Sequence, residues 1–432
     1  MAQCLLRNGR VEKARAADVA TVDMGTGFRV AAMGKKLIQG IFFAIVVLLT
    51  GVHAAASSEV LAAADPFPLY ESLQINVDFW MKVYTEYGLS EGIIHDSSNL
   101  SIIYEVTQLE DEERPGAHKI NRKRIKAAKE KYRNILNRLA RGNPPSSPEE
   151  QRVADLFRPN ATRKDFECAK RNIRCQLGQR DRFEEGIIRS GAFLDQIKEV
   201  FASYGLPADL AYLPHVESSF NHQAYSKARA AGIWQFTRPT GKRFLKIGHL
   251  LDERRDPIAS SHAAARLLRE NYEVLGDWPM AITAYNHGLS GVLRAKRSKR
   301  TYEAIFEEYK SRSFRFASRN FYSEFLVARQ VAKNYRQYFG ELELDKPPKT
   351  QEVVVEDTVP LKELARNFNV DLADIKSLNP SLKPLVYKGK KSLPRGYTLR
   401  LPAAEQEGGV PPTADSPPSL PEPAREWELV PY

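Results

Sequence analysis

The sequence predicts a mainly α-helical protein that closes with a small βααβ module. Three observations carry this. Apolar residues recur at helical spacing from about 150 to 340, punctuated by Gly178, Gly205-Leu206-Pro207, Pro239, Pro257 and Gly276. A basic amphipathic helix precedes them, from Lys119 to Arg141. Residues 351–402 then read as strand (Glu352 to Val355), helix (Leu361 to Phe368), helix (Leu372 to Leu378) and strand (Tyr397 to Leu401). A length of 432 residues exceeds one compact domain and suits two or three.

At the N-terminus, Met33-Gly34-Lys35-Lys36 leads into the apolar run Leu37–Val52 and then His53-Ala54-Ala55-Ala56. A basic pair, a short apolar run and small residues at an A-x-A-like site make a secretory signal peptide. The run falls short of the about 20 apolar residues that span a bilayer, and Gln39 and Gly40 interrupt it. An uncleaved anchor is the alternative, and it would be the sole source of membrane association. Because a basic n-region should open the chain, translation is expected to start at Met33. Residues 1–56 are thus read as extension and signal, addressing the chain to the periplasm or cell envelope. No Cys follows the apolar run, so no lipid anchor is expected. In an oxidising compartment Cys168 and Cys175 either pair or remain as buried thiols.

Residues 57–174 are expected to form a mostly helical region, built on Phe67, Tyr70, Phe79, Trp80 and Tyr84, with a Val/Ile-containing stretch near Ile102-Ile103-Tyr104. Lys119 to Arg141 carries ten basic residues and one acid, with Ile120, Ile125, Ala128, Tyr132, Ile135, Leu136 and Leu139 at helical spacing. Its basic face is either solvated or a polyanion-binding surface. Gly142-Asn143-Pro144-Pro145 ends it. Residues 175–345 form the expected helical catalytic domain, and Lys346-Pro347-Pro348-Lys349 is a linker. The module occupies 350–403, and the Pro-, Glu- and Ser-rich residues 404–432 are expected to be disordered.

Composition narrows the chemistry. Lys and Arg number 64 against 53 Asp and Glu, a formal charge of +11 that suits an anionic polymer or surface. Three cysteines with no C-x-x-C pair, and histidines with no H-E-x-x-H, leave no metal site. No cofactor, no metal and no nucleic-acid partner are expected.

The most informative stretch runs from Leu206 to Gly241. Pro207 can open a helix, within which Leu210, Leu213 and Glu217 fall on one face. A carboxyl against apolar walls is costly to ionise, and the nearby helix C-terminus adds to that, so its pKa rises. Such a group can act as a general acid near neutrality. A buried ion pair or a frayed helix end is the plainer reading of a lone Glu. His215, two residues before it, faces away and is expected at the surface or behind the acid. Downstream, Gly232 gives backbone freedom, Trp234 offers a flat apolar face for a sugar ring, and Gln235 an amide that donates and accepts. Further on, Tyr285 in Ala284-Tyr285-Asn286 carries a hydroxyl able to reach a carboxyl in a pocket.

These residues form ordered motifs: E-S-x-F-N-x-x-A-x-S (Glu217 to Ser226), A-x-G-x-W-Q-F (Ala230 to Phe236), D-x-R-x-D-P (Asp252 to Pro257) and A-Y-N (Ala284 to Asn286). In this the chain resembles the lytic murein transglycosylases with a soluble-lytic-transglycosylase domain, in the motif order of the membrane-bound transglycosylase D type. The resemblance covers roughly 175–340. It implies a lysozyme-like helical fold and cleavage of the MurNAc–GlcNAc bond of peptidoglycan without water, leaving a 1,6-anhydro-MurNAc end. It further implies that Glu217 is the single acid/base, that Ser226 and Gln235 contact substrate, and that Tyr285 and Asn286 join them, Tyr285 near the acid. Departures occur at Arg229, where the family usually has Gly, at Thr237-Arg238-Pro239, and at Gly288-Leu289-Ser290 after A-Y-N.

The C-terminal segment resembles a LysM peptidoglycan-binding module, with Glu356 in place of the usual Gly before Asp357-Thr358 and an insertion near Lys388 to Pro394. As a binding module it would be removable without loss of cleavage of short soluble glycans. Two other functions fit less of the pattern. One is a hydrolytic muramidase that recruits Asp256 or Asp277 as a second acid, since ordinary glycosidases need two carboxylates. The other is a non-catalytic peptidoglycan-binding protein.

Overall fold

A computed structural model describes residues 65–403, so the signal segment, the Met33 start and the Pro-rich tail lie outside the described residues. In chain order the first elements are α1 (Gln74–Thr85), β1 (Glu91–Asp96), β2 (Ile103–Gln108), α2 (Ala117–Ala140), α3 (Pro148–Asp155), α4 (Arg163–Asn172) and β3 (Ile173–Leu177). Then come α5 (Arg180–Ser190), α6 (Leu194–Ser203), a 3-10 turn at Ala208–Tyr212, α7 (Leu213–Ser218), α8 (Arg238–Gly241), α9 (Pro257–Leu275) and α10 (Trp278–His287). The remainder is α11 (Leu289–Lys299), α12 (Tyr302–Glu308), α13 (Phe316–Lys333), α14 (Tyr335–Phe339), β4 (Thr350–Val354), α15 (Leu361–Asn367), α16 (Leu372–Leu378), α17 (Pro384–Tyr387) and β5 (Thr398–Pro402). The chain is mainly α, as expected.

Two compact units form. One holds the described chain up to Ile187 with Phe201–Val216 and Ala265–Leu342; the other holds Ile188–Val200, Glu217–Ala264 and the chain from Glu343. The expected 175–345 block therefore contributes to both units.

In the first unit the described part of 57–174 is built mainly of helices and carries a small sheet besides. Here β1 lies between β2 and β3 in an antiparallel sheet. The short run Gly92-Ile93-Ile94-His95 gave no alternation to read because β1 is buried on both faces. α2 covers this sheet with its second half only: Ala128, Tyr132, Ile135, Leu136 and Leu139 pack with Ile94, Tyr104 and Ile173, while Ile120 is exposed. Its cations meet acids of the same unit, Arg124 with Glu110 at 2.6 Å, Lys131 with Glu105 at 2.9 Å and Arg138 with Glu150 at 3.0 Å. Lys119, Arg122, Lys123, Lys126, Lys129 and Arg141 form no ion pair among the described residues, so the face is only partly neutralised by its own unit. Cys175, on β3, is a free thiol, so the bridge to Cys168 is not made. α1 packs on α13, where Asn320 accepts from Trp80 Nε1 at 3.1 Å and Asn76 Nδ2 at 2.7 Å.

In the second unit β4 and β5 pair antiparallel, Val353 opposite Leu399. Val355, Leu361, Ile375, Leu382, Val386, Leu399 and Leu401 form the small core under them, and Leu250 and Leu251 pack against it. The predicted βααβ order holds, with α17 added just before the insertion noted in the sequence. The segment before α9 is stitched to this module. Leu251 bridges Leu382, Asp252 N–H donates to Ser381 O at 2.8 Å, and Lys383 N–H donates to Leu250 O at 2.9 Å.

Candidate active site

Glu217 stands near the end of α7. The chain reaches it through the 3-10 turn rather than through one continuous helix, and Leu210 and Leu213 are fully buried. Immediately after the acid, Ser219 and Phe220 adopt left-handed backbone, φ 50° and 56°, a costly conformation for non-glycine residues. Phe220 is fully buried, which holds the turn in place. Ser218 Oγ donates to Ile233 O at 2.9 Å and Arg189 Nε to Ser219 O at 3.0 Å. The end of the acid's helix is thereby fixed to the 231–236 loop. Ser218 and Arg189 were not singled out from the sequence. The Ser after the Glu in the first motif was the available signal for one, and nothing local marks the other.

The Glu217 side chain is half-buried. Burial alone pushes its carboxyl up to about 8, with no hydrogen bond or counter-charge lowering it again. The carboxyl thus stays protonated at neutrality without a partner, which is what a general acid requires. The buried ion pair of the plainer reading is not formed. His215 is not at the surface, one of its two expected places: it is buried, stacked on Phe183 at 5.1 Å and near Tyr212, as a core ring of the first unit.

The loop beyond the acid is a compact knot. Tyr225 bridges Ala231, and Ala231 bridges Phe236. Ser226 Oγ accepts from Ala230 N–H at 3.0 Å, and Arg229 N–H donates to Ser226 O at 2.8 Å. Arg229 sits at φ 61°, which explains in physical terms why a glycine suits that position. Gly232, at φ 78°, passes so close to the next strap that an added Cβ would lie 1.7 Å from Arg254 O. Gln235, at φ 48°, donates its amide to Gly232 O at 2.9 Å. Trp234 corrects the sequence reading: the ring is fully buried and its Nε1 donates to Ser261 Oγ at 2.8 Å, so it is core and cannot present a face to a sugar.

Arg254 holds this loop, a role not read from the sequence although it is the Arg named in D-x-R-x-D-P. It is buried, bound to Asp252 at 2.8 and 2.7 Å, and donates to Arg229 O at 2.9 Å and Phe236 O at 3.0 Å. The two loop carbonyls flank the segment with Gln235, so one guanidinium sets its shape.

The acids considered as second catalysts are otherwise engaged. Asp256 accepts from Ile258 and Ala259 N–H at 3.0 and 2.9 Å, capping α9, and pairs with Arg400 Nη1 at 2.6 Å. Asp277 caps α10 through Met280 N–H at 2.8 Å. Glu217, Ser226, Trp234 and Gln235 are in the second unit. Tyr285 and Asn286 are on the last turn of α10 in the first, where Asn286 Oδ1 accepts from Ser318 Oγ at 3.1 Å. Among the described residues no group of His, Cys, Asp and Glu could hold a metal ion, and no helix is long and apolar enough to cross a membrane.

Residues 197–306 match the family described as Transglycosylase SLT domain. The chain is 29% identical over 181 residues to the membrane-bound lytic murein transglycosylase D of Escherichia coli (strain K12) and to that of Escherichia coli O6:H1, a span of 41% of this chain and 40% of each relative. It is 38% identical over 109 residues to a protein named for tributyltin chloride resistance from Alteromonas sp. (strain M-1), covering 25% of this chain and 53% of that one. The chain thus spans well under two thirds of the length of the curated relatives it matches. The acid, its loop, the Arg254 strap and the A-Y-N turn all fall inside the 197–306 segment that is similar to SLT transglycosylase domains.

Proposed function

We propose that the chain is an envelope lytic transglycosylase that cleaves the MurNAc–GlcNAc β-1,4 bond of peptidoglycan and leaves 1,6-anhydro-MurNAc, with Glu217 as its single acid and base. The observation that carries this reading is the desolvated Glu217 carboxyl, pushed up to about 8 with no ion pair among the described residues, while the two acids weighed as second catalysts, Asp256 and Asp277, serve as helix caps. A hydrolase would need a second free carboxylate on the reacting sugar. Glu217 donates its proton to the glycosidic oxygen as the C1–O bond breaks. Its carboxylate then accepts the proton of the C6 hydroxyl, whose oxygen bonds to C1 of the same sugar. The nucleophile is part of the substrate, so proximity supplies what an activated water supplies elsewhere.

Ser226 and Gln235, on the loop shaped by Arg254, and Tyr285 and Asn286, on α10, take the substrate-contact roles implied by the resemblance. Glu217→Gln keeps shape but moves no proton, so glycan cleavage falls by about 10²–10⁴-fold or more while sacculus binding stays. Activity within tenfold of wild type removes Glu217 from the reaction.

A further inference from the structure

Beside the Arg254 strap, within the second unit, lies an open pocket of about 290 Å³. One side is the loop, with Gln223 and Tyr225; another carries Arg238 and Arg255; the C-terminal module closes it with Lys383 and Pro384. The stitching of 250–252 to 381–383 fixes these walls together. Tyr225 is 62% exposed, one residue before Ser226, and its backbone is held by the bridge to Ala231. An exposed aromatic ring presents a flat apolar face. Asp252 and Arg254 also line the pocket, but they neutralise each other at 2.7 Å. Asp252 apart, no acid lines the pocket, and Arg238, Arg255 and Lys383 form no ion pair among the described residues; Lys383 Nζ donates to Gly248 O at 3.1 Å and Arg238 Nη2 to Ile247 O at 3.5 Å.

We infer that this pocket is a binding site for the carboxylate-bearing peptide of a peptidoglycan strand, Tyr225 taking the face of a sugar and Arg238, Arg255 and Lys383 taking the peptide's carboxylates. The inference rests on the function proposed above and extends it from glycan to acidic glycopeptide. It also gives the module a task at the catalytic loop, because Lys383 and Pro384 complete the site. Charge attraction in an open pocket is salt-sensitive, whereas sugar stacking is not. The two contributions can therefore be told apart.

The experiment uses the full chain carrying Glu217→Gln, so that nothing turns over, and measures Kd by calorimetry. The probes are N-acetylglucosaminyl-N-acetylmuramyl tetrapeptide and the same disaccharide without peptide. At low salt the peptide-bearing probe binds at least tenfold tighter, and 0.5 M salt removes most of that advantage. Arg255→Ala with Lys383→Met brings the two probes within about twofold of each other, while Tyr225→Ala weakens both to the same extent. Tyr225 is exposed and Arg255 and Lys383 are half-buried, so an unchanged melting temperature certifies the fold of each variant. Equal affinity for the two probes in the parent, or an advantage that survives the double substitution, overturns the pocket. If wild type cleaves glycan while the probes bind equally, the pocket alone is wrong. If neither probe binds and no glycan is cleaved, the proposed function fails as well.

Discussion

Glu217 is held in a state that its surroundings disfavour once it ionises, and this has a sign that stability measurements can read. Its folded pKa, about 8, lies above the ordinary value of 4.5. Between those values the folded chain binds the proton and the unfolded chain does not, so the contribution is full below about pH 4.5 and is lost as pH rises through about 8. Glu217→Gln removes that dependence. Chemical denaturation should show the variant growing more stable relative to wild type from about pH 5 to pH 8; a constant difference would mean the carboxyl is not desolvated. Two neighbouring positions test the loop. Gly232→Ala forces a Cβ onto Arg254 O and should cost about 3 kcal/mol or more, whereas Arg229→Gly relieves left-handed backbone and should stay within about 1 kcal/mol of wild type. The apolar company of Glu217 was legible from Leu210 and Leu213, although a 3-10 turn and a short helix carry them rather than the single helix their spacing predicts. The burial of Trp234 was not, because its partner Ser261 is 27 residues away and an aromatic motif does not say which way the ring faces.

At the scale of elements, the burial of β1 and the docking of the C-terminal module go beyond what their sequence patterns state. His95 on β1 is fully buried between Phe79 at 4.7 Å and Phe316 at 5.6 Å, with Nδ1 on Asp96 O at 3.2 Å and the charges of Arg174 and Lys129 nearby. Burial, with smaller contributions from these two cations, lowers its pKa to about 4. The unfolded chain takes up a proton below about 6.5 while the folded one does not, so the first unit should lose roughly 2–3 kcal/mol as pH falls from about 6.5 to about 4. His95→Phe should abolish that acid limb in a denaturation series; an unchanged limb would assign it to carboxylates. The module's βααβ pattern was readable from its strands and Asn379-Pro380 turn, but its docking was not. Leu250 and Leu251 look like ordinary helix-domain leucines until they are seen against Leu382. Removing residues 350–432 exposes them, unpairs Asp256 from Arg400 and frees the Asp252 N–H that Ser381 holds. Such a truncation should therefore depress cleavage of short soluble glycans at least several-fold, against the expectation for a merely tethered module; full activity would show that the strap keeps its shape unaided.

For the whole molecule, the chain divides its resources between a first unit that packs α1, α13 and a small sheet, and a second that carries the acid, its loop and the C-terminal module. The helical class and the position of the acid were visible in periodicity and motif. The interleaving of the two units was not, because it depends on contacts between segments far apart in the chain. The central claim is that one carboxyl suffices because the substrate attacks itself. Digesting purified sacculi in heavy-oxygen water and weighing the released glycans by mass spectrometry tests this directly. The released MurNAc ends should be one water lighter than a hydrolysed end and free of heavy oxygen, formed at a rate that declines above about pH 8 as Glu217 loses its proton. Reducing MurNAc ends that carry the heavy label would contradict it, since they require an attacking water.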